Sequence, residues 1–383
     1  MRAVSVLYRL LGESLPAKGI GVSADRELSF ICPPSPSRVL FGIGGLEKAP
    51  EEIDRLGAKR ALIVTTPGRR ELGEEMATRL GCKAAGVFDR ATMHVPVEAA
   101  ERGRREAVRL AADSCVAIGG GSAIGLAKAI AAAMGLPILA IPTTYSGSEM
   151  TSTWGLTERG IKRTMRDPRV QPKTVIYDPW LTLSLPPRLS ATSGMNAMAH
   201  CVEALYAEDA NPVSSLLAEQ GIHSLAEGLP AVVRDPSDLK ARSLVLYGAW
   251  LGGLSLGATT TALHHKLCHV LGGAFDLPHS DTHAVLLPHA TAYNAAGAPE
   301  AMARLAHALD PNGAARSAAQ HLWYLEASIE TPLSLESLGL RRDAIDHAVA
   351  LVMEKPFYNP TALTKEGVRG VLEDAFEGRS PRA

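Results

Sequence analysis

From residue 38 the chain alternates short, continuously apolar runs with longer stretches whose apolar positions recur every three or four residues. The runs are ArgValLeuPheGly (38–42), AlaLeuIleValThr (61–65), Val87-Phe88, CysValAlaIleGly (115–119) and ProIleLeuAlaIle (137–141). Short apolar runs separated by helical patterns long enough for crossovers predict a parallel sheet covered by helices. Past Leu185-Pro186-Pro187 the pattern changes. Segments 193–208, 213–231 and 239–258 are rich in Ala and Leu at helical spacing, so the second half is expected to be all-α.

Composition narrows the function classes. A chain of 383 residues is long enough for two domains with a large core. Its formal net charge is −1 and it has no run of Lys or Arg, which argues against nucleic acid as a partner. No apolar stretch approaches the roughly 20 residues a membrane-spanning helix needs. The first 25 residues carry Arg2 and Arg9 around a short apolar stretch ending at Gly12; they match a signal peptide poorly and read as a tail outside the fold or a misassigned start. The five cysteines are an odd number and form no CxxC pair, so reduced thiols and a cytoplasmic setting are expected.

The segment 116–130 is an apolar strand, then Gly119-Gly120-Gly121-Ser122, then a helix that begins at once. Glycines let backbone approach a pyrophosphate, and a helix N-terminus offers unpaired N–H donors and a positive dipole end. A glycine-rich turn of this kind is often only tight packing, and this one lacks the GxGxxG order. A second loop at 141–151, with Thr143, Thr144, Tyr145, Ser146 and Gly147, also follows an apolar run. Two such loops at the carboxyl ends of parallel strands fit a dinucleotide site. The second run ends in Thr65-Thr66-Pro67-Gly68-Arg69, where no carboxylate stands to hold the adenosine ribose and exclude a 2′-phosphate. NADPH is therefore expected to serve as well as NADH, with Arg69 or Arg70 available to the phosphate. The resulting division is a tail at 1–25, an α/β dinucleotide-binding domain at 26–188 and an all-α substrate domain at 189–383.

Six of the twelve histidines fall between 264 and 289. His265 and His269 are four apart and share a helix face, and Asn196 and His200 lie one turn apart on another helix. A lone histidine is usually a satisfied core or surface residue, which is the reading for His223, His307 and His321; the cluster weakens it. A metal site asks for three or four N or O ligands, preferably with a carboxylate. His200, His265 and His279 offer nitrogen, but the fourth candidate, Asn196, is a neutral amide.

Together, GlyGlyGlySer (119–122), ProThrThrTyrSerGlySerGlu (142–149), Asp178-Pro179 before Leu181-Thr182, and the spacing His265, His269, His279 resemble the iron-type alcohol dehydrogenases over residues 36–376. The resemblance implies a dehydroquinate synthase-like fold: an α/β N-terminal dinucleotide-binding domain plus an all-α C-terminal domain. Members that bind a divalent ion use an Asp and three His, which map onto Asn196, His200, His265 and His279. Asn196 replaces the Asp, and Gly125 stands where the family commonly has another Asp. With LeuHisHisLysLeuCysHis (263–269) and MetHisValProValGlu (93–98), these departures resemble the maleylacetate reductase branch. That implies reduction of a carbon–carbon double bond in a small oxo-dicarboxylate by NADH or NADPH, no metal requirement, and a homodimer.

On the residues themselves, three imidazoles and Lys266 without a counter-charge would welcome a dianion. We assign His269 to the position nearest the nicotinamide, His265 as proton donor or oxyanion partner, and Tyr145 as a second candidate acid. Asn196, His200, Lys266 and His279 are expected to bind substrate; Gly119, Gly120, Gly121, Ser122, Thr143, Thr144, Ser146, Thr65 and Arg69 to bind cofactor. Rival readings are a metal-dependent alcohol dehydrogenase using His200, His265 and His279 as ligands, a lyase or cyclase on the same scaffold, a noncatalytic nucleotide-binding protein, and a reductase of another enone or ketone.

Overall fold

The computed structural model describes residues 37–158, 161–311 and 316–381; the expected tail at 1–25 lies outside the described residues. Strands β1 (Arg38–Phe41), β2 (Ala61–Val64), β3 (Ala84–Phe88), β4 (Ser114–Gly119) and β5 (Ile138–Pro142) occupy the five apolar runs. Three strands were not anticipated: β6 (Thr153–Glu158), β7 (Ile161–Arg166) and β8 (Thr174–Tyr177). β6 and β7 form a separate antiparallel pair, while β8 joins the six-stranded sheet in the order β1-β8-β5-β4-β2-β3. All pairings in that sheet are parallel.

Helices α1 (Ala49–Arg55), α2 (Arg70–Leu80), α3 (Val97–Arg109) and α4 (Gly121–Met134) connect the strands. The central strands β2, β4, β5 and β8 are buried throughout, as helices on both faces require. Alternate residues part to the two faces: Leu62, Val64, Cys115 and Ala117 meet Ile124 and Ile130, whereas Ile63, Val116 and Ile118 meet Ile53 and Met76. The β4 strand ends in the glycine loop, and β5 ends in the hydroxyl loop beside it.

The sheet's last strand stops at Tyr177, and the first long helix, α5 (Pro187–Tyr206), opens with proline at its first turn, where the missing N–H costs nothing. It is followed by α6 (Pro212–Arg234), α7 (Leu239–Ala258), α8 (Leu263–Phe275), α9 (His279–Asn294), α10 (Pro299–Leu309), α11 (Ala318–Ser328), α12 (Ile345–Val352) and α13 (Lys365–Glu377). Glycines let α5, α6 and α7 approach closely. A methyl at Gly221 would meet Cys201 Sγ at 2.7 Å, and one at Gly252 would meet the Ala197 carbonyl oxygen at 2.8 Å. Helix α5 is consequently buried from Ser190 to Tyr206, with Asn196, His200 and Glu203 held along it. Residues 32–383 form one compact unit, so sheet and helices share a core that brings the two loops against α5.

Candidate active site

The nucleotide side is built from backbone. Gly119 adopts φ 146°, and a Cβ there would meet Ala123 Cβ at 2.9 Å. At Gly120 a Cβ would meet Thr144 Oγ1 at 2.8 Å, and at Gly121 it would face Ser146 at 3.7 Å. The two loops thus lie against each other, joined by the Thr143 N–H donating to the Gly119 carbonyl at 3.0 Å. Helix α4 begins at Gly121 with no side chain capping its first turn, leaving its N–H groups to an anion. Thr65 Oγ1, buried at the end of β2, has no hydrogen-bond partner among the described residues. A cradle in which a side chain at Gly119 or Gly120 would collide, with a bare helix N-terminus at its floor, fits a dinucleotide pyrophosphate.

The hydroxyl loop is braced from below. Lys128, buried in α4, donates through Nζ to the carbonyls of Ser148, Thr151 and Thr153 at 2.6, 2.7 and 2.9 Å. Burial pulls its ammonium down to about 7, partly opposed by Glu149. The loop then turns through Gly147, at φ 73°, where a Cβ would meet His200 Nδ1 at 2.9 Å. Contact between the nucleotide loops and the imidazole cluster therefore depends on this glycine.

In the cluster, the His200 and His265 rings lie 5.2 Å apart at 25°. His269, exposed on α8, has its ring centroid 6.2 Å from that of His265. His279, half-buried at the start of α9, sits 4.4 Å from His283. Beneath them His264 Nε2 and His283 Nδ1 are hydrogen-bonded at 3.0 Å, with Cys268 Sγ 3.6 Å from His264 Nε2. Burial, reinforced by neighbouring imidazoles, drives His200 and His283 well below the usual imidazole range and His264 to about 3, so these three are neutral.

One carboxylate was missed. Glu203, one turn beyond His200, accepts from His265 Nδ1 at 2.6 Å and from the backbone N–H groups of Ala262 and His264 at 3.0 and 2.8 Å. Burial would raise its carboxyl, but His265, His264 and the Ala262 amide together hold it below the ordinary range. The expectation of imidazoles without a counter-charge is therefore corrected: the negative charge is present, contributed by α5. A glutamate inside the Ala-rich helix 193–208, on the turn after a histidine, was the available signal.

Other assigned residues lie elsewhere. Tyr145 is fully buried in the core cluster it shares with the helices, and its hydroxyl accepts from Arg242 Nη1 at 3.3 Å. Lys266 is half-buried, with Nζ 5.9 Å from the Phe357 ring centroid. Arg70 is already paired with Glu74 and Asp89 at 2.7 and 3.1 Å, whereas Arg69 donates only to the neutral Ser184 hydroxyl, which favours Arg69 as the phosphate contact. Gly125 is explained by the motif at 93–98: Val95, held at φ 47°, places Cγ2 3.0 Å from where a Cβ at 125 would stand.

Comparison with known proteins agrees with this layout. Residues 36–179 match the family described as iron-containing alcohol dehydrogenase, and residues 190–376 match that family's C-terminal part. This chain belongs to the iron-containing alcohol dehydrogenase family. It is 52% identical over 344 residues to a maleylacetate reductase of Burkholderia cepacia, covering 90% of this chain and 97% of that one. The crystal structure of maleylacetate reductase from Agrobacterium tumefaciens superposes with a TM-score of 0.88 at 45% identity, covering 93% of this chain and all of that one, 100%. A 1,3-propanediol oxidoreductase structure is similar at 28% identity and TM-score 0.85, over 92% of this chain and 100% of that one. The chain is an oxidoreductase.

At the positions that the family resemblance gives to an ion, Asn196 Oδ1, His200 Nδ1 and His265 Nε2 are buried without hydrogen-bond partners among the described residues. Such orphaned atoms await a ligand. The donor set nevertheless departs from a divalent-ion cage, because Asn196 brings no charge and the His200 and His265 rings are stacked rather than convergent. Among the described residues, the grouping of ligand atoms within 4.8 Å of one another is His264, Cys268 and His283, not His200, His265 and His279.

Proposed function

We propose that this protein reduces the carbon–carbon double bond of maleylacetate to 3-oxoadipate with NADH or NADPH, as a step in aromatic-compound degradation. The observation that carries this reading is the direct abutment of the glycine cradle on the imidazole cluster through Gly147 and His200, in a chain about half identical to maleylacetate reductases over nearly its whole length. The reduced nicotinamide, when bound, supplies a hydride to the alkene carbon β to the ketone.

The chain's own groups handle charge and proton. Asn196 and neutral His200 offer hydrogen bonds to a carboxylate or to the ketone oxygen. Lys266 and His279 are assigned to the substrate's carboxylates. His265 Nε2, buried and without a hydrogen-bond partner among the described residues, is assigned the protonation of the carbon adjacent to the carbonyl as the enolate collapses. His269, exposed on α8, is assigned to the nicotinamide side. We infer that no resident metal is required, in departure from the metal-binding members of the family, because Asn196 brings no charge at the position where those members have an Asp. A cytoplasmic homodimer completes the proposal; the free thiols of Cys82, Cys115, Cys201 and Cys268 support a reducing setting, and light scattering on the purified protein tests the dimer.

The test is NADH and NADPH oxidation with freshly generated maleylacetate and, in parallel, simple aldehydes, before and after EDTA treatment with metal content recorded. Turnover of maleylacetate that EDTA leaves unchanged is expected. Aldehyde reduction abolished by EDTA would establish instead the metal-dependent alcohol dehydrogenase reading.

A further inference from the structure

Helix α8 carries both His265 and His269, yet its own N-cap residue, Ala262, has no side chain that can accept a hydrogen bond. The first N–H groups of a helix need acceptors, and a negative charge near them is favoured by the dipole. Both requirements are met from the neighbouring helix. Glu203 Oε1 accepts from the His264 N–H, and Oε2 accepts from the Ala262 N–H and from His265 Nδ1, in a setting where the carboxylate is 1% exposed. Asn359 Oδ1 takes the intervening Leu263 N–H at 3.2 Å.

We propose that Glu203 is a positioning residue of the reduction, using one carboxylate to cap α8 from outside and to commit His265 Nδ1, so that Nε2 is the ring atom left to face substrate. The inference rests on the assignment of His265 as proton donor. Its physical content is that a histidine with an uncommitted Nδ1 can rotate or present either nitrogen, whereas one whose Nδ1–H is bonded to a fixed carboxylate cannot. Glu203 is fixed because α5 is buried along its length and because three donors converge on it. In the step it supports, the hydride has reduced the alkene by two electrons, and the enolate electron pair forms the new C–H bond with the Nε2 proton. The ring keeps Nδ1–H, and solvent later replaces the proton on Nε2.

The experiment compares E203Q and E203D with the unaltered enzyme, reading kcat, NADH affinity by fluorescence and the solvent deuterium isotope effect on kcat. E203Q is expected to lose about 100-fold in kcat, keep NADH affinity within about twofold, and show a larger isotope effect as proton delivery becomes limiting. E203D, which keeps the charge at shorter reach, is expected to recover about tenfold of that loss. Unchanged kcat in E203Q overturns the inference. So does a loss that follows cofactor affinity or melting temperature with the isotope effect unmoved, because Glu203 would then be a helix cap alone. If E203Q does not fold, the same isotope readout on E203D decides. H265A separates the two assignments: full activity there removes the donor role of His265, whereas an inactive H265A beside an unaltered E203Q removes only the role of Glu203.

Discussion

The two halves of the site are made differently. The nucleotide side is an absence of side chains: a methyl at Gly119 or Gly120 would collide with Ala123 or Thr144. The substrate side is an excess of side chains, with imidazoles, an amide and a carboxylate packed so closely that three of the histidines are held neutral. A backbone site depends on local conformation, so its parts are neighbours in sequence. A side-chain site depends on which distant residues meet, and its electrostatics can reverse with one unseen partner, as Glu203 does here.

The contrast can be broken at the substrate side first. Replacing His265 with Ala is expected to lower kcat by about 10²- to 10⁴-fold with NADH binding retained, as loss of a general acid does; steady-state kinetics and cofactor titration check both parts. Gly147→Ala strikes the seam between the halves. A methyl there meets His200 Nδ1 at 2.9 Å on a backbone at φ 73°, so we expect about 1–3 kcal/mol of destabilisation by denaturant melts and a fall in kcat together with a rise in the KM for cofactor.

Smaller effects sharpen the comparison. Arg69→Ala is expected to reduce kcat/KM for NADPH by about 1 kcal/mol equivalent, roughly five-fold, while leaving NADH unchanged, because among the described residues the guanidinium is bonded to a neutral hydroxyl and to no carboxylate. Equal efficiency with both cofactors in that variant would remove its role. The neutral histidines make an acid-stability prediction. Burial depresses His264 to about 3 and His289 to about 4. Their unfolded forms take up protons near pH 6.5 while the folded forms do not, so their stability is whole above about pH 6.5 and is lost as pH falls from there toward 3. Melting temperature should therefore drop between pH 7 and 5, and His289→Asn should flatten that slope. A flat profile in the unaltered protein would contradict the burial described.

How much could be read in advance follows the same division. The five expected strands and the helices 193–208, 213–231 and 239–258 were legible because each is a local apolar pattern. Strand β8 was not, since ThrValIleTyr is short and its pairing with β1 and β5 is made across long separations. The β6–β7 pair offers only the brief alternation of Trp154 and Leu156 on β6, while Arg163, Thr164, Met165 and Arg166 of β7 are exposed. Among site residues, Gly119, Gly120 and Gly121 lie against Thr65, Thr144 and Ser146, and His200, His265, His269 and His279 are linked by ring contacts, His279 through His283. Tyr145 is buried in the core with Arg242 from α7 donating to its hydroxyl, a partner that its position in the loop does not announce.

The amino-acid order by itself determined the parallel sheet with its glycine loop, the helical second half and the concentration of histidines, all of them consequences of residues within one turn or strand of each other. Only the tertiary structure decided the charge and aim of those histidines. Glu203 is 62 positions from His265, Gly147 meets His200 across the join of sheet and helices, and Val95 fills the space that Gly125 leaves open. Periodicity reports which face of an element is buried, but not which polar atom of another element will be waiting there.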